Sequence, residues 1–290
     1  MTLVLTLVSQ SNDVAQLAKA APGGIGDAAD RSGDEWRVAE RTVAGGKDLV
    51  AWLEVETPRL GADWSVTPAA GRKKRLLISD MDSTIIGQEC LDELADFAGL
   101  KAEVSAITER AMRGELDFAG ALTQRVAMLK GLALGALEQC HNQRVRLNPG
   151  ARELVATMKA HGARAVLVSG GFRYFTSRVA KMAGFDADRA NTLIDDGKAL
   201  TGAVGLPILG REAKLTALKE ETAALGTMID DSVAMGDGAN DLDMIRAAGL
   251  GVAYKAKPIV AAETLARIQH TDLRAALFFQ GYRFDEIVNA

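Results

Sequence analysis

Four short apolar runs, each leading into a cluster of small and polar residues, constrain this chain more than any other feature. They are Arg75-Leu-Leu-Ile-Ser79, Ala163-Arg-Ala-Val-Leu-Val168, Ser232-Val-Ala-Met235 and Leu250-Gly-Val-Ala253. Runs of this length without polar alternation read as strands covered on both faces. Helical patterns separate them, including Gly150–Lys159 and Lys214–Glu220. Strands alternating with helices predict an α/β fold built on a doubly wound parallel sheet. Ligands bind such sheets outside the carboxyl ends of the strands, so the residues just after each run are the candidates for chemistry.

Between the first two runs, residues 87–147 read almost wholly as helix. That is too long for a simple crossover and predicts an inserted helical cap. Composition changes near residue 70, where Thr67-Pro68-Ala-Ala-Gly71 breaks structure and Arg72-Lys-Lys-Arg75 follows as a solvated linker. The expected organisation is therefore a small N-terminal α/β module over residues 1–70 and a main domain over 71–290. Within the module, strands are expected near 3–8, 35–43 and 63–67, and helices near 12–21 and 47–54. Gly23-Gly24-Ile-Gly26 reads as a loop, and it lacks the Lys-Ser/Thr that a phosphate-binding loop needs.

Several function classes drop out on composition. The 290 residues are 48% apolar and 25% charged, which is a folding composition, and their net charge of −4 offers no footprint for nucleic acid. No stretch approaches the roughly 18 apolar residues of a membrane helix. Cys90 and Cys140 lie too far apart to suggest a disulfide scaffold, which fits a reduced, cytoplasmic protein. His141, His161 and His270 are scattered without metal-site spacing and are expected to be structural.

The chemistry is concentrated in four places. Asp80-Met81-Asp82-Ser83-Thr84 sets two carboxylates two residues apart at a strand end. Beside a hard cation, one could attack phosphorus while the other handles the leaving group's proton. Alone, the pair could equally close an Asx-type turn. Ser169-Gly170-Gly171 supplies a hydroxyl and free backbone N–H groups for an oxyanion, although a plain strand-to-helix turn has the same composition. Lys214, near the start of a helix, could neutralise a transferred phosphoryl group, but most such lysines are merely solvated. Gly236-Asp237-Gly238-Ala239-Asn240-Asp241 offers only oxygen donors on a tight loop, which suits Mg²⁺.

Taken in this order, the four segments resemble the haloacid-dehalogenase-like phosphatases. The resemblance implies Asp80 as nucleophile and Asp82 as general acid and base, with Asp82 also lending its backbone carbonyl to Mg²⁺. It implies Asp80, Asp82 and Asp237 as metal-binding residues, with Asp241 supporting that site. Ser169, Gly170 and Lys214 would hold the phosphoryl group, and Asn240 would bond phosphate or substrate. Within that family the segments Ser83–Glu89, Glu109–Phe118, Arg125–Gly131 and Tyr254-Lys-Ala-Lys-Pro258 are similar to the phosphoserine phosphatase group, a match running from about Arg75 to Ala262. This implies O-phospho-L-serine as substrate, hydrolysed in the last step of serine biosynthesis. Glu89 would pair with its ammonium, Arg125 would grip its carboxylate, and Met112 and Phe118 would help exclude water. The strand-helix-strand rhythm of residues 1–70 permits an ACT-like module, as a scaffold or a homodimer contact. Two other readings use the same residues: a phosphotransferase acting on an alcohol such as homoserine, and a non-catalytic serine-responsive regulator.

Overall fold

A computed structural model describes residues 2–33, 35–112 and 115–290, with the side chains of Glu109, Ala111 and Met112 outside the description. Its strands are β1 (Leu3–Ser9), β2 (Gly24–Asp30), β3 (Arg37–Val43), β4 (Asp63–Pro68), β5 (Leu76–Ser79) and β6 (Arg164–Phe172). They continue as β7 (Ala187–Asn191), β8 (Leu193–Asp195), β9 (Leu200–Val204), β10 (Ser232–Gly236), β11 (Leu250–Tyr254) and β12 (Ala266–Ile268). All four apolar runs are strands, and every residue of β5 is buried. The central strands β12-β11-β10-β5-β6-β7 run parallel with helices packed on both faces, as the alternating pattern predicts.

The N-terminal segment has βαββαβ order with strands arranged β2-β3-β1-β4, a ferredoxin-like topology. Its sheet continues into the central one, because β4 pairs antiparallel with β12, Ser65 opposite Ala266. Two sequence expectations are corrected here. Gly24 and Gly26 lie in the edge strand β2, whose Ile25 stands opposite Thr42 of β3. The basic run is not simply solvated, since Arg72 pairs with Glu40 at 2.7 Å and donates to Thr6 and to the carbonyl of Phe278. Charged heads tied to carbonyls and a carboxylate can be buried, and the Arg72 side chain is only 13% exposed.

The insertion after β5 holds the helices Cys90–Phe97, Lys101–Met112, Phe118–Met128 and Leu134–Arg144. Its ends meet in an isolated bridge between Ile86 and Leu147, with the Asn148 amide donating to the Thr84 carbonyl at 2.8 Å. The β8–β9 hairpin reaches over from the main sheet and bonds the cap, Gly131 N–H to the Leu200 carbonyl at 2.8 Å. Among the described residues no helix is long and apolar enough to cross a membrane.

Glu221, on the helix Arg211–Ala224, ties that helix to the sheet by accepting from Arg164 of β6 and Arg189 of β7 at 2.8 and 2.6 Å. Burial works against its charge, but the two guanidinium groups outweigh it and hold the carboxyl below its usual range. A depressed folded pKa stabilises above the unfolded value and is lost as pH falls through the folded one. Glu221→Gln should therefore lower the unfolding free energy by about 1–2 kcal/mol at neutral pH. The gap to the parent should close in acid, read by urea unfolding across pH; a gap that persists in acid contradicts the ion-pair account.

Candidate active site

Strand order reverses between β5 and β10, so the crevice at their carboxyl ends is the switch point of the sheet. The two strands pair in parallel with Ser79 opposite Met235, and the Asp80 N–H donates to the Met235 carbonyl at 2.9 Å. The loops carrying Asp80 and Asp237 thus leave the sheet side by side. Lys214, one turn into its helix, reaches the same point and is 1% exposed. Its Nζ lies 2.5 Å from Asp80 Oδ1 and 2.5 Å from Asp241 Oδ1. The second oxygen of Asp241 accepts the Gly238 N–H at 3.0 Å. A Cβ on Gly236 would stand 2.4 Å from the Asp241 carboxyl carbon, so only glycine permits this approach.

Asp82 faces away from the ammonium. Its carboxylate accepts the Cys90 N–H at 3.0 Å and the Ser169 hydroxyl at 3.2 Å. The Ser169 oxygen in turn accepts the Gly171 N–H at 2.8 Å, and a Cβ on Gly171 would crowd both Asp82 and Ser169 at 3.0 Å. Ser83 has φ 53°, a left-handed conformation costly for a residue with a side chain, and donates its hydroxyl to Glu89 at 2.7 Å. Thr84 donates to Asp237 at 3.4 Å.

Electrostatics follow from burial. It raises Asp80 above the ordinary carboxylate range despite the pull of Lys214. Burial, then the charge of Glu89, pushes Asp82 up to about 7. Asp237 rises to about 6 through burial and the charges of Asp241 and Glu89. Lys214 stays firmly charged, because the carboxylates of Asp80 and Asp241 outweigh its desolvation. Burial and the neighbouring Asp82 keep the Cys90 thiol protonated, so it is a packing residue and no nucleophile.

A cleft of about 150 Å³ opens above this arrangement. Asp80, Asp82, Glu89, Phe118, Arg125, Ser169, Gly170, Asp237 and Asn240 all line it, while Lys214 sits beneath, bonded to both Asp80 and Asp241. Phe118 opens a cap helix whose N-terminus is capped by Asp117, and its ring lies against Gly170 and Gly210. Arg125 is half-buried, donates from Nε to the Ala121 carbonyl at 3.3 Å, and pairs with no carboxylate among the described residues. Met112 has its side chain outside the described residues. Sequence reasoning overlooked Lys257, Leu91 and Leu122, which also line the cleft. Lys257 stands in a Lys-Ala-Lys-Pro segment and had a signal in that position; the two leucines look like any apolar cap residue.

The carboxylates of Asp80, Asp237 and Asp241 can each offer an oxygen within 4.8 Å of the others. A set of hard oxygen donors with no thiol or imidazole fits a divalent cation such as Mg²⁺ or Ca²⁺ better than zinc. A larger hollow of about 320 Å³, lined by Glu54 and Thr57 as well as Trp64 and Arg267, lies over the β4–β12 seam and holds none of the cleft residues.

Residues 77–246 match the haloacid dehalogenase-like hydrolase family, and the chain belongs to it. Within that family it belongs to the phosphoserine phosphatase group. It is 47% identical over 204 residues to the phosphoserine phosphatase of Polaromonas sp. strain JS666, covering 69% of this chain and 86% of that one. A HAD-family hydrolase from Salmonella enterica serovar Typhi has the same fold throughout, with a TM-score of 0.86, 29% identity and coverage of 96% and 98%. A phospho-aspartyl intermediate analogue of a phosphoserine phosphatase superposes with a TM-score of 0.66 at 39% identity, covering 71% of this chain and 99% of that one.

Removing Lys214 would strand two buried carboxylates. Lys214→Met should lower the unfolding free energy by about 3–5 kcal/mol in metal-free buffer at neutral pH. Adding Asp241→Asn should recover part of that loss. Denaturant titration of both variants checks it, and a loss under about 1 kcal/mol for the single variant would contradict the buried triad.

Proposed function

We propose that the chain hydrolyses O-phospho-L-serine to L-serine and phosphate, with Mg²⁺ bound by Asp80, Asp237 and the Asp82 backbone carbonyl. The observation that carries this reading is one cleft uniting Asp80, Asp82 and Ser169 with Glu89 and Arg125 on its cap wall. When bound, the cation draws charge from the phosphoryl oxygens. Asp241 has both oxygens engaged, by Lys214 and by Gly238, which favours its role as the residue that holds the lysine.

Asp80 attacks phosphorus, oriented by Lys214 on one oxygen. Asp82 gives its proton to the departing seryl oxygen, leaving a phosphoryl group on Asp80. Ionised Asp82 then takes a proton from water, which releases phosphate and frees Asp80. Ser169, the Gly170 N–H and the Lys214 ammonium balance charge on the group in transit. The solved analogue of the phospho-aspartyl state in a related phosphoserine phosphatase supports this course.

Substrate choice belongs to the cap. A guanidinium without a carboxylate partner can take the substrate carboxylate as a two-point pair. Glu89 supplies the anion for the ammonium, and Phe118 closes the apolar side. The same reading places the protein in the cytoplasm, at the last step of serine biosynthesis, where the buried Cys90 and Cys140 stay reduced.

Phosphate release from L-phosphoserine should require Mg²⁺ and stop with EDTA; equal release in EDTA would overturn the metal assignment. Asp80→Asn should abolish turnover while the circular-dichroism spectrum stays that of the parent. Arg125→Ala should lower kcat/KM for phosphoserine by about 100-fold or more, and for an aryl phosphate by under about 10-fold. Equal losses on both substrates would remove Arg125 from carboxylate binding.

A further inference from the structure

We propose that Asn191 is a positioning residue for phosphoryl transfer, holding the Ser169–Gly171 end of β6 and the start of the Lys214 helix in register through one buried side-chain amide. The proposal rests on the phosphomonoester reading above. Asn191 ends β7 and is 2% exposed. Its Nδ2 donates to the Gly170 carbonyl at 2.8 Å and to the Leu209 carbonyl at 3.1 Å, while its Oδ1 accepts the Leu209 N–H at 2.7 Å. Both amide hydrogens and the oxygen are therefore in use.

These particular partners matter. The Gly170 carbonyl belongs to the same rigid peptide unit as the Gly171 N–H. That N–H donates to the Ser169 oxygen, and the Ser169 hydroxyl donates to Asp82. Fixing the carbonyl thus fixes the plane whose opposite edge orients the serine and, through it, the acid. On the other side, Leu209 is held by both its N–H and its carbonyl, directly before Gly210, the residue that starts the helix Arg211–Ala224. One turn later that helix delivers Lys214 to Asp80. A single amide therefore sets the distance between the Ser169–Asp82 pair and the Lys214–Asp80 pair, and small misplacements at a transferring group cost large rate factors.

The segment Asn191 anchors is also the one that reaches the cap. The β8–β9 hairpin begins two residues later, is closed at its base by Gly205 N–H on the Thr192 carbonyl, and bonds the cap at Leu132 through the Leu200 N–H.

Two variants test this. Asn191→Leu removes all three bonds and should lower kcat by about 10–100-fold on phosphoserine and aryl phosphate alike, with KM within about 3-fold. Inhibition by orthovanadate, which mimics the transferring group, should weaken by a comparable factor. Asn191→Asp is nearly isosteric, yet when ionised it sets a carboxylate against two carbonyl oxygens. Its kcat relative to the parent should therefore fall as pH rises from about 5 to about 9, because the protonated carboxyl still donates one bond. A folded N191L with kcat within about 2-fold of the parent overturns the proposal, as does an N191D-to-parent ratio that does not change with pH. If N191L does not fold, the N191D profile decides alone. A parent that releases no phosphate from any monoester overturns the phosphatase reading, and this one with it; an active parent with an equally active N191L overturns only the role of Asn191.

Discussion

An ammonium buried at the 1% level between two carboxylates is the interaction around which the rest of the structure is arranged. A lone charge at that depth is strongly unfavourable, and even a paired one seldom adds net stability over an apolar core. Its presence therefore points to chemistry, and it dictates what surrounds it. β5 and β10 must be neighbours running the same way so that Asp80 and the acidic loop emerge together. Gly236 must lack a side chain so that Asp241 can reach back to the lysine. The helix carrying Lys214 must pack against the sheet, which Ala217 and Leu218 achieve by full burial beside Leu76 and Ile78. In the proposed reaction, with one Asp80 oxygen on the ammonium, its other oxygen is left for the phosphoryl group.

Asp80 and Asp82 are the same residue type two positions apart, and their environments differ. Asp80 sits on the cation and Asp82 on a backbone N–H and a hydroxyl, and the Glu89 charge helps hold Asp82 in its protonated form. Environments that separate two like groups in this way are what assign acid and nucleophile roles. Glu89, Phe118 and Arg125, the groups proposed to select the substrate, stand on the insertion or at its root, separate from the strand ends that carry Asp80 and Asp237. Specificity can change on the cap while Asp80, Lys214 and Asp241 stay as they are.

What could be read in the linear sequence follows the range of the interactions. Leu-Leu-Ile-Ser and Val-Ala-Met-Gly are buried on both faces, so local apolarity alone marks them as strands, and the residues after them as a site. The cap was legible because helical patterning persists over residues 87–147. Arg72 looked like part of a solvated basic run, because its partners Glu40 and the Phe278 carbonyl come from distant parts of the chain. Asn191 carries no local signal: it is one amide in a strand whose Asp188 and Arg189 are half-exposed, and its importance comes entirely from Gly170 and Leu209. β12 has three residues, too few for any periodicity, and its existence depends on pairing with β4 and β11.

That pairing gives the N-terminal segment a structural purpose independent of any ligand. Without it, β12 would leave a row of unpaired backbone groups at the edge of a parallel sheet, a template for association with other chains. β4 covers that edge, and Asp63 locks the join by accepting the N–H groups of Gln269, His270 and Thr271. The open edge then passes through β1 and β3 to β2, and there the composition changes character. Gly24-Ile-Gly-Asp-Ala-Ala-Asp30 is poor in β-branched residues, carries two aspartates, and breaks register between Ile25 and Ala29. Those properties make it look like a loop in the sequence. They are also what blunts an exposed strand, through charge and an irregularity that discourages a further partner. The segment is hard to recognise as a strand because, at the end of a ten-stranded sheet, a more regular strand would invite an eleventh.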